Sequence, residues 1–449
     1  MEVTSVEKGL TRRKFLKSSG RAVAGGVTAL AATKFVRNVA AAESKGPLGA
    51  NERVGVGFIG VGGRGSWHVR TFKSFADVEV IAVADPHQGR VANVLQTAGP
   101  RVKGFRDYRD LLKLKEVDAV VVATTGHWHA LPAIHACQAG KDIYVEKPLA
   151  LTIAEGRAVV KAAKKYNRIN AVGTQNRSSP SFQKAVEIVR SGRLGKVGLV
   201  HVWSNEQWGP NGFGHPADTD PPKQLDWDLW LGPSPKVPYN PNRYFHHYFF
   251  WDYGGGWQSE VGVHHYDIVH WAMDCDTPLS CQSAGGKLML PDNTEIPDTF
   301  TTMWEYPDFV MTFRVTYANK LAFEHRQRGT IFYGTNGTMV LDGHAPGIKI
   351  FGETVGGKKV LADSYTGRDL PEGNVLYQKE FIRCVKERKR PPADIATGHK
   401  SSIPGHLSNI AYRVGRKIRW DAKAERIIDD RQANALVRRK YRKPWVLPT

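Results

Sequence analysis

The chain has 449 residues, 41% of them hydrophobic, and 63 Lys and Arg against 43 Asp and Glu give it a formal charge of +20. That length carries two domains of ordinary size. The basic excess gathers between Arg413 and Lys443, but Asp421, Glu425, Asp429 and Asp430 interrupt it and no aromatic stacking platform accompanies it, which excludes a nucleic-acid partner and leaves a solvated face.

In chain order, the first element is a leader. Thr11-Arg12-Arg13-Lys14-Phe15-Leu16-Lys17 reads as a twin-arginine export signal, followed by twelve small or apolar residues from Ala22 to Thr33 and by Ala40-Ala41-Ala42 as a cleavage site. Twelve falls short of the roughly 20 apolar residues that span a bilayer, and Lys34 and Arg37 end the run, so no stable membrane anchor is expected. Cleavage near Ala42 leaves 407 residues, delivered folded to the periplasm by the twin-arginine machinery. The organisation expected is a signal over 1–42, a nucleotide-binding domain over 43–174, a substrate and oligomerisation domain over 175–390, and a helix and tail over 391–449.

From Arg53, short apolar strands alternate with amphipathic helices, the pattern of an α/β Rossmann fold with a doubly wound parallel sheet. Strands are predicted over 54–59, 78–84, 117–123, 142–145 and 169–173, and helices over 63–75, 88–98 and 129–139. The run Gly60-Val61-Gly62-Gly63-Arg64-Gly65 therefore falls between the first strand and the first helix. There Gly60 permits a tight turn, Gly62 lets backbone approach a pyrophosphate, and Gly65 permits close helix–strand packing. Asp85 ends the second strand, where a carboxylate accepts ribose hydroxyls and repels a 2′-phosphate. NAD is thus favoured over NADP, although Arg90 stands near enough to pair with a phosphate. Cys137, Cys275, Cys281 and Cys384 lack the paired spacing of a metal site; Cys275 and Cys281 are close enough in sequence that a disulfide is left open.

Beyond the 117–123 strand lies Thr124-Thr125-Gly126-His127-Trp128-His129, and the next strand runs into Glu146-Lys147-Pro148. With the glycine loop, with Gly173-Thr174-Gln175-Asn176-Arg177 and with Lys443-Pro444-Trp445 near the C-terminus, these motifs make the chain resemble the Gfo/Idh/MocA family, named for glucose-fructose oxidoreductase and inositol dehydrogenase, in its exported branch. The resemblance implies an NAD-dependent oxidoreductase acting on the CH–OH groups of a sugar, polyol or sugar derivative, in a dimer or tetramer. It implies cofactor contacts from Gly60, Gly62, Gly63, Arg64, Gly65, Asp85, Thr124, His127, His129, Glu146 and Gln175. It carries Lys147 to the reacting hydroxyl, where an ammonium stabilises developing alkoxide charge.

The resemblance extends to a second stretch, Gly254-Gly255-Gly256 through Asp267, and implies for His264 the role of general base, which its near-neutral intrinsic pKa suits. On a helix, Glu260, His264, Asp267 and Trp271 share one face. The acidic position is usually aspartate in dehydrogenase members of the family. Glu260 is one methylene longer, and whether it bonds substrate or orients His264 stays open. Between the two stretches, Trp251 and Tyr253 are the expected sugar-stacking aromatics, with Arg177, Asn176 and His265 as hydroxyl contacts.

The C-terminal α+β domain is expected to hold a large, mostly antiparallel open sheet, with strands over 198–203, 299–306, 310–317, 330–334 and 337–341 and a hairpin at Asn336-Gly337. Residues 391–420 read as a loop and helix packing back on the cofactor domain, and 421–449 as a surface-clasping tail. A periplasm holds no free nicotinamide pool, so the cofactor is expected to be tightly bound and recycled internally. Two alternatives stay open. One is an NAD-dependent glycosidase or lyase that oxidises a ring carbon transiently; the other is a non-enzymatic carbohydrate-binding protein, against which Lys147 and His264 speak.

Overall fold

The computed structural model describes residues 52–317, 326–343, 347–355, 358–366 and 370–448. The twin-arginine segment, its apolar run and the Ala40–Ala42 cleavage site lie outside the described residues. Six strands form the first sheet: β1 (Val54–Ile59), β2 (Val78–Ala84), β3 (Lys103–Phe105), β4 (Ala119–Val122), β5 (Asp142–Val145) and β6 (Asn170–Val172). Every residue of β1, β4 and β5 is buried, as both faces of a parallel sheet require. The order is β3-β2-β1-β4-β5-β6 with all pairs parallel. The order reverses between β1 and β4, and ligands of such sheets sit outside the strands' C-terminal ends at that point. Gly60, Asp85, Thr124, Glu146 and Gln175 all follow strand ends on this edge.

The first core is finished late in the chain. Tyr377, Phe381, Ile382 and Val385 of the helix Leu370–Glu387 are buried in the same cluster as β1, β4 and β5. No helix was expected there from sequence. Tyr441, Trp445 and Leu447 of the C-terminal tail pack against the cluster from outside.

Ten further strands make the second sheet: β7 (Val197–Asn205), β8 (Ser280–Gly286), β9 (Thr299–Glu305), β10 (Val310–Thr316), β11 (Arg328–Gly334), β12 (Thr338–Asp342), β13 (Gly347–Val355), β14 (Lys358–Thr366), β15 (Ile418–Asp421) and β16 (Arg426–Ile427). The order is β14-β13-β12-β11-β7-β10-β9-β8-β15-β16, and only β10 with β7 is parallel. Burial alternates along β9 and β10, the signature of a sheet with one covered face. The covering helices are Pro180–Arg190, Gly262–Met273 and Ile395–Val414, which bring Phe182, Tyr266, Val269, Ile403 and Leu407 onto Val200, Trp304 and Phe313. The expected turn between β11 and β12 is closed by the Gly334 N–H donating to the Gly337 carbonyl at 2.9 Å. All four cysteines are unpaired, Cys275 and Cys281 included. Among the described residues no helix is long and apolar enough to cross a membrane.

Candidate active site

The glycine loop is shaped by backbone contact. Gly60 has φ +83°, and a Cβ on it would stand 2.8 Å from the Ala123 carbonyl carbon; a Cβ on Gly65 would stand 1.9 Å from the Gly60 carbonyl oxygen. Gly62 precedes the helix Gly63–Lys73, which has no side-chain cap and no acidic residue in its first turn. Its free amides and the helix dipole therefore face the cleft, where an anion is favoured. Around a Cβ on Gly63 nothing lies within 4 Å.

Asp85 is buried beside this loop. Its Oδ2 accepts the Val61 N–H at 2.9 Å and its Oδ1 accepts the His87 N–H at 2.9 Å. Burial pushes its carboxyl up, against the opposing pull of Arg90. The residue thus ties the loop to the end of β2, while a second lone pair on each oxygen stays available for a diol. Arg90, Arg106, Tyr108, Trp128, Leu229 and Trp230 complete the walls of this cleft. The buried Thr124 Oγ1 also lines it and has no hydrogen-bond partner within the protein.

The cleft continues, through Arg64, Thr124, His247 and Tyr248, into a chamber of about 340 Å³ that holds Lys147, Gln175, Glu260 and His264. Lys147 Nζ donates to the Glu260 carbonyl oxygen at 2.9 Å and stands 4.0 Å from Glu260 Oε2. Burial raises the Glu260 carboxyl to about 7 although Lys147 and the Gly255 N–H pull it down. His264 moves the other way. Burial and Lys147 hold its imidazole well below its ordinary value, so it is neutral, and its Nδ1 has no partner within the protein. The buried Gln175 Oε1 is likewise unpartnered.

Supporting contacts fix these groups. His129 lies 2.6 Å from the Pro148 carbonyl through Nδ1 and 3.1 Å from the Thr124 carbonyl through Nε2, joining the loops after β4 and β5. Glu146 Oε1 accepts from Arg64 Nε and lies against His68 Nε2, both at 2.7 Å. Burial alone would raise the Glu146 carboxyl, but Arg64 and His68 outweigh it and hold it well below its ordinary value. Gln378 Nε2 lies 2.6 Å from His68 Nδ1. Since Gln378 donates there, the neutral His68 carries its proton on Nε2, facing Glu146. His68 and Gln378 are invisible as a pair in sequence, 310 positions apart.

Several expected residues face elsewhere. The helix is interrupted: Trp257–Glu260 ends at Val261, and Gly262–Met273 begins anew with Gly262 beneath the Tyr266 ring. Glu260 and His264 still reach one chamber, but Asp267 forms a bidentate pair with Arg177 at 2.8 and 2.9 Å and accepts from Ser401. Arg177 also covers the Trp271 ring and lines a different cavity. Asn176, in the short turn of helix after β6, does not line the chamber. His265 points to β11, with Nδ1 2.9 Å from Thr330 Oγ1. Tyr253 is wholly buried against Trp230 and His127. Trp251 lines a separate groove beside Arg413. His127 is buried with Nε2 2.9 Å from the Trp230 carbonyl and does not line the cleft. Tyr248, its phenol pushed up to about 12 by burial, and His247 are chamber side chains that the sequence does not single out.

A model of an oxidoreductase family with an NAD-binding Rossmann fold matches residues 54–174, and that family's C-terminal α/β domain matches 187–285 and 365–447. The chain belongs to the Gfo/Idh/MocA oxidoreductase family. It is 34% identical over 202 residues to a glycosyl hydrolase family 109 protein of Shewanella baltica, 41% of this chain and 44% of that protein. It is 33% identical over 147 residues to an inositol 2-dehydrogenase of Salmonella paratyphi B, 32% of this chain and 44% of that one. The chain thus matches less than half the length of these curated relatives. The solved WlbA dehydrogenase of Bordetella pertussis, in complex with NADH and UDP-GlcNAcA, shares the fold with a TM-score of 0.63 at 19% identity, over 82% of this chain and 99% of that one. As a Gfo/Idh/MocA member the chain binds NAD on its first sheet. The residues present fit that cofactor: a cradle of glycine amides, the Asp85 carboxylate, and the unpartnered Thr124 and Gln175 atoms.

Proposed function

We propose that the protein is a periplasmic NAD-dependent oxidoreductase acting on a hydroxyl group of a sugar, polyol or sugar derivative, exported by its Thr11–Lys17 signal with the cofactor bound and recycled in place. The observation that carries this reading is the convergence of Lys147, Glu260 and His264 in one chamber continuous with the glycine-loop cleft. A bound nicotinamide supplies the hydride acceptor. Lys147 Nζ stabilises the alkoxide that develops as the hydroxyl loses its proton. The neutral His264 imidazole accepts the hydroxyl's hydrogen bond and assists deprotonation. Glu260, at about 7, is matched to hold the released proton near neutral pH.

One observation favours a second reading. A carboxyl at about 7 is both acid and base at neutrality, so Glu260 could protonate a leaving group after a ring carbon has been oxidised and its neighbouring C–H made acidic. Likeness to a glycosyl hydrolase family 109 protein supports the same NAD-dependent glycosidase reading. The experiment is a panel of sugars, polyols and aryl glycosides with NADH absorbance and aglycone release scored separately. Reduced cofactor without aglycone supports the oxidoreductase; aglycone without net reduction supports the glycosidase; binding without either leaves a carbohydrate-binding protein.

A further inference from the structure

Segment 224–234 lies across the rim of the dinucleotide cleft. One end is bonded to the loop after β2, where the Gln88 N–H donates to the Gln224 carbonyl at 2.8 Å and the Asp226 N–H to the Pro86 carbonyl at 3.0 Å. The other is bonded to the turn after β4, where Trp128 Nε1 donates to the Trp230 carbonyl at 2.7 Å. Leu229 and Trp230 of this segment line the same cleft as Gly60, Gly62 and Gly63 of the glycine loop. At Gly232, φ is +52° and a Cβ would stand 2.0 Å from the Trp128 ring, so this cover rests directly on the wall beneath it.

The C-terminal tail then fastens cover to wall. The Arg439 guanidinium, 16% exposed, donates to the His127 carbonyl at 2.6 Å, to Ser234 Oγ at 3.0 Å and to Glu155 at 2.8 Å. One planar fork therefore joins the turn after β4, the cover and the helix Ile153–Lys165. The Arg442 N–H donates to the Pro233 carbonyl at 2.9 Å and its side chain to the Gly232 carbonyl at 3.0 Å. Trp445 meets Trp128 edge to face at 4.8 Å.

We propose that the tail is a clasp that sets how long the dinucleotide stays bound, with Arg439, Arg442 and Trp445 as positioning residues that keep the 224–234 cover closed. A ligand under the cover leaves only when the cover moves, and each tail contact that must break first slows that motion. The proposal rests on the reading that the bound cofactor is retained.

The test loads the full chain with NADH, adds excess NAD and follows the fluorescence of bound NADH. Release should quicken about tenfold in Trp445→Ala and in Arg442→Ala and further in Arg439→Ala, because weakened closure acts on dissociation. Arg439→Lys, which keeps the charge but not the fork, should be intermediate. Thermal midpoints of the cofactor-free variants are recorded alongside: Trp445→Ala, which strips a ring from the first core, should fall more than Arg442→Ala, while both quicken release alike. Release within twofold of the parent in both of these variants overturns the clasp, whether or not Arg439→Ala folds. Rapid release from the parent itself counts against retention alone, since the clasp is read from the ratio of variant to parent.

Discussion

Glu260 and His264 stand four positions apart, and burial moves them in opposite senses, the carboxyl up and the imidazole down. Removing either Lys147 or His264 as alanine should lower turnover by about 10² to 10⁴ with cofactor still bound, measured as single-turnover rate on loaded protein. Glu260 should show itself through pH. Activity that needs its carboxylate should rise through about pH 7, and Glu260→Gln should lose that limb of the profile. Stability carries the same signature with a definite sign. The folded chain holds a proton that the unfolded chain, at an ordinary 4.5, releases, so this group's stabilisation is complete below pH 4.5 and fades as pH rises through 7. Thermal midpoints of Glu260→Gln should lack that decline. Family resemblance pointed to Lys147, Glu260 and His264, and the structure brings the three into one chamber. Residue identity alone misdirected Arg177 and His265, because an arginine read as a hydroxyl contact and an arginine committed to a buried Asp267 look alike until the fold supplies the partner.

Elements explain why the glycines differ in what they protect. Gly65→Ala should lower the thermal midpoint, because its methyl meets backbone at 1.9 Å and overpacking of this kind costs about 1–3 kcal/mol. Gly62 has an ordinary φ of −65°, and its Cβ faces the cleft 3.3 Å from Arg90. Gly62→Val should therefore fold normally and lose NAD; thermal unfolding and NAD titration on the same samples separate the two outcomes. The strands over 54–59, 78–84 and 142–145 were legible because their apolar runs are buried in a parallel sheet. Lys103 and Gly104 of β3 are exposed and gave no such signal. The face shared by Glu260 through Trp271 fails at Val261, where the short helix Trp257–Glu260 stops and Gly262–Met273 starts afresh, a break that the spacing of residue types along one helix does not register.

At the scale of the whole molecule, the expected property is retention: purified protein should carry NAD(H) through gel filtration, detected by absorbance after denaturation, and recovery of empty protein with weak NAD affinity would count against the closed redox cycle. The two-sheet architecture followed from strand periodicity and family resemblance. The sequence also reads 391–449 as packing back on the cofactor domain, but it does not show that the helix Leu370–Glu387 completes that domain's core, because no local pattern there advertises a partner so distant. That arrangement bears on timing. Tyr377, Phe381 and Ile395 finish the core around β1, and Arg439 and Trp445 brace the cofactor wall from behind, on the His127 carbonyl and the Trp128 ring. Closing a loop of about three hundred residues is a late event in folding. The chain must therefore be made as far as Trp445 before these braces stand behind the cleft. On the proposed twin-arginine route, which carries folded cargo, retention of the cofactor before export would then act as a proofreading step for a chain synthesised past Trp445.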